Sequence, residues 1–247
     1  MKTKFLSISL VIATLAIVCI SCGKDDDNSG PSSPLNGKTT AVFNTGVTYG
    51  SMTDQDGNTY KTVRIGAQTW MAENLRTTKY NDGTTIPNVS DNTTWQNLIT
   101  GAYCNYNNTA NNDTIATFGR LYNWHAVNTG KLAPVGWHVP TDAEWKTLAV
   151  YLDDGQVAGG KLKENGTSHW QIPNTGATNQ SGYTALPGGS RQFNWGFKNI
   201  GIDGVWWSAT ENDASGAFAY YMYCAGGYVG RTISNKVEGE SVRCVRD

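Results

Sequence analysis

Charge is scarce in this chain of 247 residues: Asp, Glu, Lys and Arg together make up 16%, against roughly 25% in an average soluble domain. With 19 basic and 20 acidic residues, there is no positive excess to neutralise phosphates, which argues against nucleic acid as a partner. No apolar run reaches the ~20 residues of a membrane-spanning helix; the run from Phe5 to Ile20 has 16. The HExxH and Gly-x-Ser-x-Gly patterns are missing too, and the one CxxC, Cys19-Ile20-Ser21-Cys22, closes that apolar run, so no metal-assisted, redox or acyl-transfer chemistry is marked in the rest of the chain. His125, His138 and His169 stand far apart in the chain. Each reads better as a hydrogen-bonded core or surface residue than as a ligand.

What is present is glycine and aromatic surface. The 28 Gly, nine Trp and twelve Tyr describe a loop-rich, aromatic-rich domain long enough to bury a core. One segment carries a sustained helical period. Thr141-Asp142-Ala143-Glu144 is a capping box, after which Trp145, Leu148, Ala149 and Leu152 share a face and Gly155 supplies a stop, giving a helix over 142–153. A shorter helix is expected over 157–163, weakened by Gly159 and Gly160. Thr59 to Ile65 alternates as a strand behind the Asp56-Gly57 turn signal. Further strands are expected over 206–210, 219–224, 228–233 and 241–246, the four forming one antiparallel series. One main and one short helix, an antiparallel terminal sheet and long ordered loops make an α+β domain. Residues 165–205, crowded with Gly, Asn and Pro, are expected to form an ordered loop whose length suggests function.

The N-terminus has its own signals. Lys2 and Lys4 before the apolar run read as a secretory signal over 1–21. Ser21-Cys22-Gly23 resembles a lipoprotein signal peptidase site, with Cys22 as the lipidated first residue. The cluster Lys24-Asp25-Asp26-Asp27 resembles the export tag of surface lipoproteins in the Bacteroides group. That resemblance implies a lipid-anchored protein of the outer membrane, exposed at the cell surface; a solvated charge run with periplasmic retention is the alternative. Residues 22–38 form a lipidated tether, and 39–247 the domain. Loss of Lys2 and Lys4 with the leader leaves 17 basic against 20 acidic residues.

Within the domain, Asp54-Gln55-Asp56-Gly57-Asn58-Thr59-Tyr60, Gln68 to Leu75 (QTWMAENL), Gly136 to Trp145 (GWHVPTDAEW), Leu186 to Arg191 (LPGGSR), Trp206 to Glu211 (WWSATE) and Ser241 to Val245 (SVRCV) occur in order. As a set they resemble the Fibrobacter succinogenes major paralogous domain over about residues 50–247. That family looks like a distant relative of the C-type lectin fold and of formylglycine-generating enzymes, which implies a C-type-lectin-like domain with a long loop region before the Trp206 strand. The formylglycine-generating relatives resemble copper-dependent oxidases with a cysteine pair in the terminal strand. Here Cys244 stands at one position and Gly239 at the other, so a two-thiolate copper site is incomplete and that activity is not expected. Many family members carry a cysteine where Ala133 stands, so the pairing of Cys104, Cys224 and Cys244 is open, with buried reduced thiols as one outcome.

No cofactor is expected. Calcium is the weak alternative: Asp54, Asp56 and Asn58 offer spaced oxygens, but the rest of an EF-hand loop is lacking. Gln171-Ile172-Pro173-Asn174 and Glu211-Asn212-Asp213 only echo the calcium ligands of sugar-binding lectins. The ligand-binding candidates are Trp170, Arg191, Phe193, Trp195, Glu211, Asn212, Asp213 and Tyr228, because flat aromatic faces beside amides and carboxylates suit sugar rings. The expected function is a non-catalytic binding or adhesion module, for glycans first, with a protein-partner or structural role at the cell surface second and an enzyme third.

Overall fold

The computed structural model describes residues 37–153 and 156–247. The signal segment, Cys22, the acidic cluster, all of the tether before Gly37, and Gly155 lie outside the described residues.

The chain opens with three antiparallel strands, β1 (Gly50–Thr53), β2 (Thr59–Ile65) and β3 (Gln68–Met71). Short elements follow: α1 (Asn92–Gln96), β4 (Tyr103–Cys104), α2 (Asn112–Phe118), β5 (Leu121–Tyr122), α3 (Trp124–Val127) and β6 (Trp137–His138). Next come α4 (Asp142–Tyr151) and α5 (Ala158–Leu162), a hairpin of β7 (Ser190–Gln192) and β8 (Gly196–Lys198), and three long strands, β9 (Asp203–Glu211), β10 (Gly216–Tyr223) and β11 (Gly230–Asn235). The last strand, β12 (Val245–Arg246), does not extend that series. It inserts between β3 and β6, closing a five-stranded sheet in the order β1-β2-β3-β12-β6, while β11-β10-β9 form a separate three-stranded sheet.

This architecture corrects the α+β, C-type-lectin-like expectation. The domain is mostly antiparallel β structure in several sheets, and among the described residues its five α-helices are short, the longest having ten residues. Three helices went unread because four to seven residues are too few to display a 3.6 period. Each is instead fixed by its cap: the side chains of Asp91, Asn111 and Asn123 accept from the backbone N–H of Thr94, Thr114 and Ala126, which satisfies an otherwise orphaned donor. The capping box behaves as read. Thr141 Oγ1 accepts from Glu144 N at 3.3 Å and Glu144 Oε2 accepts from Thr141 N at 2.8 Å. Gly159 and Gly160 have a packing reason: a Cβ at either would lie 2.1–2.2 Å from the carbonyl oxygen of Tyr228 or Gly176.

The β9–β11 sheet is covered on both faces, and adjacent tryptophans show why. Successive strand residues point to opposite sides, so Trp207 packs with Ala217, Ala219, Met71, Tyr122 and Val242 in one core. Trp206 packs with Tyr220, Met222, Trp70 and Trp145 in the other. Trp145 stacks on Tyr220 with ring centroids 4.9 Å apart. Ahead of β1, Gly37 N donates to Asp113 Oδ1 at 2.8 Å and Val42 N to Glu164 Oε1 at 2.6 Å, so the segment from Gly37 to β1 is fastened to the domain. Cys104, Cys224 and Cys244 are buried free thiols. Burial pushes the Cys104 thiol up to about 12, which keeps it protonated and unreactive.

Candidate functional site

The β9–β11 sheet is sealed along most of its Trp207 face but opens at one end. There Asp203 and Val205 of β9, Tyr221 and Tyr223 of β10, and Thr232 and Ser234 of β11 border a cleft of about 510 Å³. In the registers Val205↔Tyr221, Asp203↔Tyr223 and Ala219↔Thr232 these side chains fall on one face. Ser190 and Gln192 of β7 form one wall, with Asn199 just beyond β8. Glu238 and Glu240 line the cleft beside them, on the backbone that pairs with β7 at Arg191.

Those two glutamates are placed by the backbone between β11 and β12. The chain runs extended there, bridging Arg191 at Gly239, Tyr122 at Glu240 and Trp206 at Ser241. Residues two apart then project to the same side, and both glutamates line the cleft. Gly239 turns the other way, where an added Cβ would meet Trp95, Arg191 and Leu121 at 3.0–3.4 Å. Glu240 is 2% exposed, and its Oε2 has no hydrogen-bond partner among the described residues. Burial, with the Glu238 charge beside it, pushes the Glu240 carboxyl up to about 8. Burial raises Glu238 and Asp203 as well. The cleft therefore holds one protonated carboxylic acid near neutral pH and two further carboxyls with raised proton affinity.

The sequence candidates divide around this cleft. Phe193 and Trp195 occupy the tip of the β7–β8 hairpin whose base lines it, and they are 38% and 72% exposed. Tyr228 meets Tyr221 edge-on, ring centroids 6.1 Å apart. Trp170 is 1% exposed, its Nε1–H donates to Ala185 O at 2.9 Å, and the Lys163 ammonium lies 5.2 Å from its ring; no face is left for a ligand to stack on. Arg191, also 1% exposed, donates to Val89 O, Ser90 O and Asn92 Oδ1 at 2.7–2.8 Å. Its guanidinium ties the hairpin to the segment before α1.

Glu211, Asn212 and Asp213 lie at the far end of β9 from Asp203. Glu211 accepts from Lys236. Asp213 Oδ1 caps the β9–β10 turn, accepting from Ser215 N at 2.8 Å and Gly216 N at 3.0 Å, and Asp213 Oδ2 accepts from Asn212 Nδ2 at 2.6 Å. Asp54 accepts from the backbone of Asp56 and Asn58 at 2.9 Å and from Tyr60 Oη at 2.6 Å. Asp56 faces Thr78 and Lys79. These oxygens fix a turn, and no cluster of metal-ligating side chains occurs among the described residues. Asp203, Glu238 and Glu240 were missed in the sequence. The Glu-Gly-Glu alternation was the available signal, but its register against β5 and β7 is invisible without the fold.

The histidines do not converge. His169 Nδ1 pairs with Glu164 Oε2 at 2.7 Å, whereas His138 lies between Asp247 Oδ1 at 2.6 Å and Glu144 Oε1 at 2.7 Å. Burial works against the His138 imidazolium, but hydrogen bonds to the two carboxylates outweigh it and the pKa rises above 6.5. A raised folded pKa contributes stability that is complete below the unfolded value and lost as pH climbs through the folded one. The Glu144 pKa is lowered, so its share is lost only in acid. His138→Gln is expected to flatten the pH dependence of the melting temperature between about pH 6 and 8, with an effect below ~1 kcal/mol because the pair is partly solvated. Thermal melts across that range, unchanged by the substitution, would count against the clasp.

No curated protein and no solved structure matches the chain. The model of the Fibrobacter succinogenes major domain matches residues 63–246, a span that takes in β3 through β12 with the cleft and its hairpin. The chain belongs to the Fibrobacter succinogenes major domain family.

Proposed function

We propose that the protein is a surface lipoprotein of the outer membrane, anchored through Cys22, whose domain is a non-catalytic binding module for glycans. The observation that carries the binding reading is the pairing of an exposed aromatic hairpin tip, Phe193 and Trp195, with a polar cleft at its base. Sugars present apolar C–H faces that stack on indole and hydroxyls that need donors and acceptors. Gln192, Asn199, Ser234 and the carboxyls supply the second requirement. Trp195→Ala is expected to weaken saccharide binding roughly tenfold or more, as loss of an aromatic anchor costs ~1–3 kcal/mol. Its exposure means that folding should be untouched. A glycan array probed with wild type and variant checks this: equal signals, or no retention of any glycan by either, would remove the reading. Trp170→Ala is not an equivalent test, since it opens a core cavity.

The anchor is a separate expectation, resting on Ser21-Cys22-Gly23 and the acidic cluster behind it. Cys22→Ser should abolish metabolic labelling with a radioactive fatty acid. Persistent labelling would refute it.

A second reading is favoured by one observation. A buried acid held up to about 8 in a cleft with further carboxyls is the arrangement a glycoside hydrolase uses to protonate a leaving group. Release of reducing ends from an array-positive polysaccharide, lost in Glu240→Gln, would replace binding with hydrolysis.

A further inference from the structure

Three carboxyl groups line a single cleft, and among the described residues no Lys or Arg lines it with them. The neighbouring cations are committed elsewhere. Arg191 is spent on Val89, Ser90 and Asn92, and Lys236 on Glu211 and Ala214 O. Lys198, which pairs with Ser190 across the hairpin, forms no ion pair with these acids among the described residues. Glu240 Oε2 is buried at the cleft wall without a partner. A desolvated oxygen in that state is costly unless a ligand satisfies it. Tyr221 and Tyr223 add rings, whose faces attract cations.

A neutral sugar would use the hydroxyl and amide groups but leave the cluster of carboxyls without a counter-charge. A sulfated or uronic acid sugar would be repelled by it. From these observations we infer that the cleft takes an amine-bearing saccharide, its ammonium seated among Asp203, Glu238 and Glu240. This rests on the glycan reading above and narrows its ligand class. Burial, which raises the proton affinity of all three acids, and the Glu238 charge, which raises that of Glu240 further, are what an arriving cation relieves. The ammonium supplies the counter-charge the protein omits.

The experiment is calorimetric titration of the full chain with three oligosaccharides of equal length: fully deacetylated glucosamine, its N-acetylated form and a neutral glucose oligomer. At about pH 6 the deacetylated oligomer is expected to bind at least tenfold more tightly than the other two, a preference that shrinks as salt screens it. Asp203→Asn and Glu238→Gln, each close in shape to the native residue, should both collapse the ratio, with thermal melts reporting whether each variant is folded. Equal binding of all three oligomers overturns the inference and leaves the glycan reading standing. No binding of any overturns both. Tight binding of oligolysine with no saccharide bound also overturns both, and would assign the cleft to a basic polypeptide.

Discussion

Arg243→Met is expected to lower the melting temperature by about 10 °C, since each kcal/mol is worth ~2–4 °C in a domain of this size. Arg243 lies in the Ser-Val-Arg-Cys-Val segment, is 0% exposed, and has no carboxylate partner within ion-pair range among the described residues. Its guanidinium is satisfied by neutral oxygens. Nε donates to Asn74 Oδ1 at 2.8 Å, Nη2 to Thr184 O at 2.7 Å and Nη1 to Tyr183 O, and the group stacks 4.2 Å from the Tyr183 ring. Asn74 Oδ1 also accepts from Trp206 Nε1 at 2.9 Å, so one residue links the end of β3, the loop before β7 and β9. Burial lowers the arginine pKa; the fork of donors is what makes the charge tolerable there. Methionine fills similar volume but strands the carbonyls of Tyr183 and Thr184, at about 1–3 kcal/mol each, for a total near 3–5 kcal/mol. Arg243→Lys should recover little, because a point charge cannot reach all three oxygens. Chemical denaturation of both variants checks the ranking; a loss below ~1 kcal/mol in Arg243→Met would contradict it.

Lys163→Met is expected to cost about 2–4 kcal/mol, since it strands three buried carbonyls while removing one buried charge. Lys163 is 0% exposed, and its ammonium spends all three donors on Thr175 O, Tyr223 O and Gly226 O at 3.0, 3.1 and 2.8 Å. It thereby pins the turn after β10, which fixes Tyr223 at the cleft, to the loop carrying Trp170. Burial pushes its pKa down to about 8, from 10.5. Between those values the unfolded chain binds more protons than the folded one, so this group makes stability rise with pH. The stability gap between wild type and Lys163→Met should widen from pH 8 to 10.5, and denaturation at both ends of that window measures it. A gap that narrows would contradict the assignment. A modest loss of saccharide affinity is expected alongside, through displaced Tyr223.

How much of this was legible in the chain depended on how local each cause is. The capping box and the alternation of Thr59 to Ile65 act over three to seven residues, and both elements formed where their patterns stood. Helices at 92–96, 112–118 and 124–127 have local causes too, but a single capping side chain is a weak signal among so many Asn and Thr. Three of the four terminal strands paired in one antiparallel series as expected, whereas the fourth, read over 241–246, is a strand at Val245–Arg246 alone and joins the other sheet. Val245 pairs with Trp70 and His138, a long-range choice made by the two cores and not by neighbours in sequence. The same limit governed the site. Exposed Trp195 and buried Trp170 both sit among Asn, Gln and Gly, and only the packing of Lys163 and Ala185 around one of them separates their roles. Glu238 and Glu240 gained meaning from Gly239 pressing against Trp95 and Leu121.

The most direct test of the central claim, that the cleft beneath the 190–198 hairpin is where glycan binds, is residue-level mapping of a bound oligosaccharide by amide NMR on the purified protein. An array-positive saccharide should shift resonances of Phe193 and Trp195, of Asp203 and Val205, of Tyr221 and Tyr223, and of Glu238 and Glu240, leaving the Asp213 turn and the Asp54–Asn58 turn unmoved. Shifts confined to those two turns, or to any face other than the cleft, would contradict the account.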